Sequence, residues 1–587
     1  MHRFLISLIA SALLLALTNC GGSSTPSTST PVASLTLQLG STTVNLLQDG
    51  TPTTLTVTAA CVKTATPSIT LTGLPAGVTA VITQPTCSLS GNVVLSITDA
   101  ATARATTYPV TIHATSSAAS ASASLSLNAV AQASVSLTPV SGSTAFLSTS
   151  FQLADWSYSW LHDRPAALTP LNKLDDSHIR IQLIAGAIPQ LNATTWDFTK
   201  ADEMIQPILG VGDHSPQLQI GAVPAFLGDS NGYYVEANLP AFAAYCANLV
   251  RYYNTGGFTV NGVTYKSPSA TPITWWGIFN EPNINNVTPD QYATMYNSVA
   301  AAMLAVDPTI KLVGLELSDW GNEPQRMLPT FLAGATQPIH AMATHYYGSC
   351  NQKDTDSQIF AAVDGFTSHV SYFRSTMDAN VATRGVPIWI TENNVNADWA
   401  HADGTSACNP GTKWVEDDRG TSAYFAAWRP YVYSQLVKAG AAGVWHWSYA
   451  GGGQYGELTD NSTPYLSYWV DSSLSHIFGQ ENMTVMTSSV TEPSRIEIFA
   501  AQAADGSRSI MLVNRDVAAN TDNNGPGVPK TVAFDLSAAG PASQITLIAI
   551  DKNTGIGSGP VSQTLTPVNG VVTLNFPGYG VQFIQLR

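Results

Sequence analysis

The chain has 587 residues and a formal net charge of −15, and only 11 % of its residues are charged. The acidity argues against nucleic acid as a partner and against electrostatic docking on an anionic membrane. The charged fraction lies well below the ~25 % of soluble domains, and a surface of Ser, Thr, Gly and Asn suits an exported protein. The length allows about four domains of ~150 residues, or fewer if one is a barrel of ~250 or more.

Residues 1–20 read as an export signal. His2 and Arg3 form a short basic start, an apolar run follows over residues 4–17, and Cys20 closes it. The run is shorter than the ~20 residues of a membrane span. LTNC resembles a bacterial lipobox, in which the Cys becomes the lipidated mature N-terminus; Asn19 departs from the Gly, Ala or Ser of that pattern. The chain is therefore expected at the outer membrane or cell surface, anchored to the membrane through Cys20. Without lipidation it would be periplasmic or secreted. Residues 21–32, rich in Gly, Ser, Thr and Pro, form a flexible linker.

Residues 33–132 carry short runs of alternating apolar and polar residues, such as SLTLQLG, TLTVTAA and YPVTIHAT, separated by Gly, Pro, Asp and Ser. Seven such runs in about 100 residues predict an immunoglobulin-like β-sandwich. Cys61 and Cys87 within it are a candidate disulfide, suited to an oxidising compartment. The segment offers a sugar only one aromatic, Tyr108, so a spacer role is expected.

Over residues 133–478 the pattern changes to strands alternating with helices, the signature of parallel βα units. Eight strand candidates occur: AFLSTSFQL, HIRIQLI, LQIGAVP, ITWWGIF, KLVGLEL, HAMATHYY, PIWIT and GVWHWSY. Amphipathic stretches such as residues 241–253 and 289–306 lie between them. The fold class predicted is α/β: a (β/α)8 TIM barrel flanked by the N-terminal sandwich and a C-terminal one. A doubly wound open sheet would carry a Gly-rich phosphate turn after its first strand, and none follows. Residues 479–587 return to alternating strands, RIEIFAAQ through VQFIQLR, and predict the C-terminal β-sandwich.

Two strands end alike. ITWWGIF runs into Asn280, Glu281 and Pro282, and PIWIT runs into Glu392 and Asn393. A carboxylate at the end of a buried strand is costly. Two of them, 111 residues apart (392 minus 281), leave room for three βα units of ~30 residues. They fall on strands four and seven, and active sites of such barrels lie at the C-terminal strand ends. The pattern resembles the clan A retaining glycoside hydrolases, whose acid/base Glu follows strand four in an Asn-Glu-Pro motif and whose nucleophile ends strand seven. Asn283 and the helix leading into KLVG make it most similar to glycoside hydrolase family 39.

The resemblance implies Glu281 as acid/base and Glu392 as nucleophile, with carboxyl groups ~5–5.5 Å apart. It implies that Arg180 holds Glu392 ionised, and that His345 or, in the better match, Tyr347 donates to Glu392. Asn280 is placed to bond the sugar hydroxyl beside the anomeric carbon. Trp445 and Trp447, on one face of strand eight, are candidates for the stacking floor of the sugar site, with barrel-wall packing as the alternative.

Cys350 and Cys408 follow strands six and seven and are a second candidate disulfide across the catalytic face. Asp398, Trp399, His401 and Trp414 share the loop with Cys408 and are candidates for specificity. The eleven His show no His-Glu-x-x-His or Cys-pair spacing, Asp175 to His178 reads as a solvated turn, and NTDNNGPG lacks the order of a calcium loop. No metal and no cofactor are expected. The function implied is a retaining glycoside hydrolase acting on β-linked oligo- or polysaccharides, β-xylosidase-like in its family resemblance. The alternative is a non-catalytic cell-surface carbohydrate-binding protein on the same scaffold.

Overall fold

The computed structural model describes residues 32–140, 151–155, 160–174, 179–210, 216–449, 453–479 and 483–587. The expected leader with Cys20, and the turn Asp175 to His178, lie outside the described residues.

A closed barrel of eight parallel strands organises the chain. The strands are β1 (Phe151–Asp155), β2 (Arg180–Leu183), β3 (Gln217–Ile220), β4 (Trp275–Ile278), β5 (Lys311–Ser318), β6 (Ala341–Ser349), β7 (Ile388–Asn396) and β8 (Gly443–Trp447). They pair in order, and β8 closes on β1 through Val444–Phe151 to Trp447–Ala154. Each of the eight sequence candidates contributes a barrel strand, the first of them, AFLSTSFQL, through its last three residues, since residues 145–150 lie outside the described residues; β4 is shorter than its apolar run, because Phe279 already turns out of the extended region at φ 65°.

Helices cross over between the strands. Two of them, Pro289–Leu304 and Asp356–Ala379, start with full capping boxes, Thr288 with Gln291 and Thr355 with Gln358. Helix Ala423–Ala439 stops at Gly440, whose φ of 94° suits a residue without Cβ.

The barrel interior is layered. Near the strand starts, Trp275, Trp389 and Trp445 pack with Val313, Ala341 and Ala343 as an apolar floor. The Trp389 ring lies 4.5 Å from Trp275 and 4.9 Å from Trp445. A polar layer of Arg180, Gln217 and Glu316 sits above it, and the carboxylates at the mouth sit above that.

The flanking sheets depart from the expected boundaries. The strand Ser120–Pro139 is 20 residues long and runs through the expected junction at residues 132 and 133. Its first part pairs with Thr43–Leu47 and Thr107–Thr115 of the N-terminal sandwich. Its second part enters the C-terminal sheet between Thr484–Val490 and Lys530–Asp535. The two sandwiches thus share one twelve-stranded sheet.

Their contact is also ionic. Arg104 of the N-terminal sandwich pairs with Asp516 of the C-terminal one at 2.5 Å, and buried Lys530, itself paired with Glu492 and Asp516 at 2.6 and 2.7 Å, donates across to the Ala105 carbonyl at 3.1 Å. The N-terminal unit is therefore built into the molecule rather than strung from it. On the barrel side, Phe478 and Tyr433 pack on Phe499 at 5.5 and 5.8 Å, seating the C-terminal sheet.

Candidate active site

The mouth of the barrel is assembled from backbone held in unusual conformations. Phe279 and Glu281 both have positive φ, 65° and 45°. Their amides are anchored to neighbouring strand ends, Phe279 N to Ile220 O at 3.0 Å and Glu281 N to Glu316 O at 2.9 Å. In β5, Leu315 and Glu316 are left-handed as well, at 73° and 48°. Such a conformation costs about 1–2 kcal/mol for each non-glycine residue, and its concentration here marks a place where geometry outweighs strain.

The β5 pair is a bulge. Between Gly314–Met342 and Leu317–Thr344 the strand β5 advances three residues while β6 advances two. A second bulge lies in β7, where Thr344–Ile390 is followed by His345–Glu392. An extra residue breaks the in-out alternation. Thr391 and Glu392 both face inward as a result, and Glu316 turns into the barrel to meet Thr391 Oγ1 at 2.5 Å.

These turns bring together most of the residues singled out in the sequence. One oxygen of Glu281, one of Glu392 and a ring nitrogen of His345 lie within 4.8 Å of one another. Arg180 Nη1 donates to Glu392 Oε1 at 2.9 Å, and Tyr347 OH donates to Oε2 at 2.8 Å. Arg180 Nη2 donates to Asn280 Oδ1 at 3.0 Å, which fixes the amide beside Glu281. Burial, and then the Glu392 charge, push the Tyr347 phenol well above its ordinary value, so it stays a donor. The Glu281 side chain is 19 % exposed against 7 % for Glu392, so Glu281 is the one that meets solvent.

His345 takes a different partner from the one expected. Its Nδ1 contacts Glu281 Oε1 at 3.0 Å and stands 3.6 Å from Glu392. Its Nε2 contacts Glu316 Oε2 at 3.3 Å. Burial opposes a charge on the ring, but Glu392, Glu281 and Glu316 together outweigh it and raise the imidazole to about 9. The ring is an imidazolium at neutral pH.

Glu316 was not among the expected site residues. It is fully buried and also accepts from Gln217 Nε2 at 2.6 Å and Arg180 Nη2 at 3.3 Å. Burial raises its titration, but Arg180, then His345 and Thr391, pull it below the usual carboxylate range. Gly277 makes room for it, since a Cβ there would lie 2.8 Å from Glu316 Oε1. The signal in the sequence was a lone carboxylate inside the otherwise apolar KLVGLELS, which a buried strand tolerates only when paired.

Two expectations need correction. Trp445 is fully buried in the apolar floor and cannot meet a sugar; alternation set its face correctly but not its depth. Trp447, two residues nearer the mouth on the same face, is partly exposed, and its carbonyl accepts from Asn394 at 2.5 Å. Asp398 is buried and organises its own loop, accepting from Ser406 Oγ at 2.6 Å and Cys408 N at 2.9 Å, so it is no contact for substrate. In that loop Trp399 is exposed and packs edge-on to His401, while Trp414 Nε1 donates to the Asp398 carbonyl.

Cys350 and Cys408 are joined across the catalytic face, as are Cys61 and Cys87 in the N-terminal sandwich. The NTDNNGPG loop gives its amides to a carboxylate: Asn524 N and Gly525 N each donate to Asp356 at 2.8 Å.

Residues 257–435, which span β4 through most of the helix after β7, match the family model of the glycosyl hydrolase catalytic core. The fold is similar to that of a monomeric β-xylosidase from Caulobacter crescentus, at 16 % identity and a TM-score of 0.52 over 78 % of this chain and 99 % of that one. It is similar to a GH39 enzyme from Xanthomonas axonopodis pv. citri, at 16 % identity and 0.51 over 78 % and 97 %. It is also similar to a GH51 arabinofuranosidase from the same organism, at 13 % identity and 0.54 over 78 % and 100 %. No curated protein matches the chain in sequence.

Proposed function

We propose, from the paired carboxylates and the match of residues 257–435 to the glycosyl hydrolase catalytic core, that the chain cleaves β-glycosidic bonds of oligo- or polysaccharides by double displacement with retention, and that β-xylosides are among its substrates. Glu392 attacks the anomeric carbon, while Arg180 and Tyr347 hold its two oxygens. Glu281 protonates the departing oxygen and then takes a proton from the water that releases the sugar. Asn280, oriented by Arg180, is positioned for the hydroxyl beside the reacting carbon, and Trp447 for the sugar face.

One observation carries this reading. An oxygen of each carboxylate lies within 4.8 Å of the other, which favours the short spacing of retaining pairs, ~5–5.5 Å, over the ~6.5–9.5 Å that admits an inverting water.

Variants of the two acids test it. Glu392→Ala should abolish turnover of aryl β-xylosides, and proton NMR of the wild-type reaction should show the β-anomer released first. Glu281→Ala should spare substrates with good leaving groups and lose those with poor ones. Equal loss on both, or release of the α-anomer, would sink the assignment.

The chain is proposed to work outside the cytoplasm, tethered through Cys20. The two disulfides suit that compartment. Cys20→Ser should move the protein from the membrane fraction to the soluble one.

A further inference from the structure

Behind β8, on the face opposite Trp447, three ionisable side chains converge. They are His446 of β8, Glu457 of the segment after it, and Asp471 of the last barrel helix, Leu466–Phe478. Their exposures are 0 %, 0 % and 1 %. His446 Nδ1 lies 3.6 Å from a carboxylate oxygen of each acid, and one donor atom from each residue lies within 4.8 Å of the others.

The far side of the ring settles its tautomer. His446 Nε2 is 2.8 Å from the backbone carbonyl of Tyr455, which can only accept, so Nε2 carries hydrogen. In the neutral ring Nδ1 is then a bare lone pair aimed at two carboxylate oxygens. Neither Nδ1 nor Asp471 Oδ2 has a hydrogen-bond partner among the described residues. Arg429 Nε donates to the other Asp471 oxygen at 2.8 Å and offsets one negative charge. Phe425 packs edge-on to the imidazole at 5.3 Å. A buried imidazole lone pair facing a carboxylate oxygen is costly unless something positive sits between them.

A metal ion fits the geometry. Nitrogen and oxygen ligands ~2.1 Å from a tetrahedral ion stand about 3.4 Å apart, close to the 3.6 Å found here. A histidine whose remote N–H is pinned by a backbone carbonyl is also oriented as metal-bound histidines are. We propose that His446, Glu457 and Asp471 bind a divalent cation of the Zn2+ class, a structural ion that ties β8 to the segment and helix behind it. This departs from the expectation of no metal drawn from the sequence, where the three residues form no motif. It is independent of the reaction proposed above.

The test is metal content of the full chain. After incubation with Zn2+ and dialysis, plasma mass spectrometry should find about one ion per chain. Co2+ bound in place of Zn2+ should give a visible d–d absorption band, a readout that needs no activity. Asp471→Asn keeps the shape and the Arg429 contact, and it should lower the stoichiometry severalfold and remove the band. Folded wild-type protein that retains neither Zn2+ nor Co2+ would overturn the proposal and leave a proton on Nδ1 as the occupant. Unchanged metal content in Asp471→Asn would overturn it equally. If that variant does not fold, the wild-type measurement decides alone.

Discussion

Glu316→Gln isolates what the buried carboxylate of β5 does for the site. Glu316 takes Gln217 on Oε1, and Arg180, His345 and Thr391 on Oε2. A glutamine can keep its oxygen at the Oε2 position and turn its NH2 toward Gln217, whose own Oε1 has no hydrogen-bond partner among the described residues and can accept once that amide flips. Shape is kept and one charge is lost. Two buried cations then face one anion fewer. At the 3.3 Å separating His345 from Glu316, the attraction is about 5 kcal/mol at an effective dielectric of 20. Removing one member of a buried pair costs about 3–5 kcal/mol, and the two figures agree. If only about 1.4 kcal/mol of that reaches the transition state, kcat/KM falls tenfold.

The pH dependence follows with a definite sign. His345 is raised to about 9 in the folded protein. Its stabilising contribution is therefore complete below its unfolded value near 6.5 and is lost as pH rises through about 9. Without Glu316 the imidazole titrates lower, so activity and stability should begin to fall at a lower pH. Thermal denaturation and aryl-xyloside kinetics in one buffer series measure both. A variant within about 0.5 kcal/mol of wild type, with an unmoved alkaline limb, would refute a positioning role for Glu316.

Gly277→Ala should push on Glu316 and on Gln219, each 2.8 Å from the new methyl, with a stability loss of about 1–3 kcal/mol and reduced kcat; an unchanged kcat would argue against that crowding. Trp447→Ala should raise KM about tenfold, whereas Trp445→Ala should cost about 3–5 kcal/mol of stability and leave KM alone in the protein that remains folded. The opposite pattern would reverse their places in the barrel. Cys350→Ser with Cys408→Ser opens a span of 58 residues, worth about 4 kcal/mol in chain entropy. The melting temperature should fall, and no fall would mean that the loops are ordered without the bond.

The barrel could be read in advance because its signals are local. Each strand is a short apolar run, and Glu281 and Glu392 stand where two of those runs end. Arg180 entered through the family resemblance, on an otherwise apolar strand. Glu316 stands in the same kind of setting, but regular alternation does not place it in the site. A bulge turns it inward, and that bulge is set by pairing with β6, 25 or more residues on. Trp445 shows the complementary limit, since periodicity fixes a side chain's face while its layer depends on where the strand enters the barrel. The junction near residue 132 was misplaced for a plainer reason: AQASVSLTP continues the alternation of ASLSLNAV without a turn residue.

The strand Ser120–Pro139 also decides where this chain can be shortened. A cut at residue 132 would strip Thr484–Val490 and Lys530–Asp535 of a shared neighbour, and their bare edges would recruit other molecules. A cut just ahead of Ser120 keeps that neighbour but strands Leu125, Leu127 and Ala129 in water, although all three are buried in the intact chain. Either truncation trades a sealed sheet for a sticky one. Removing the segment before Val32 disturbs none of these pairings, so a soluble catalytic fragment should retain everything from there to Arg587.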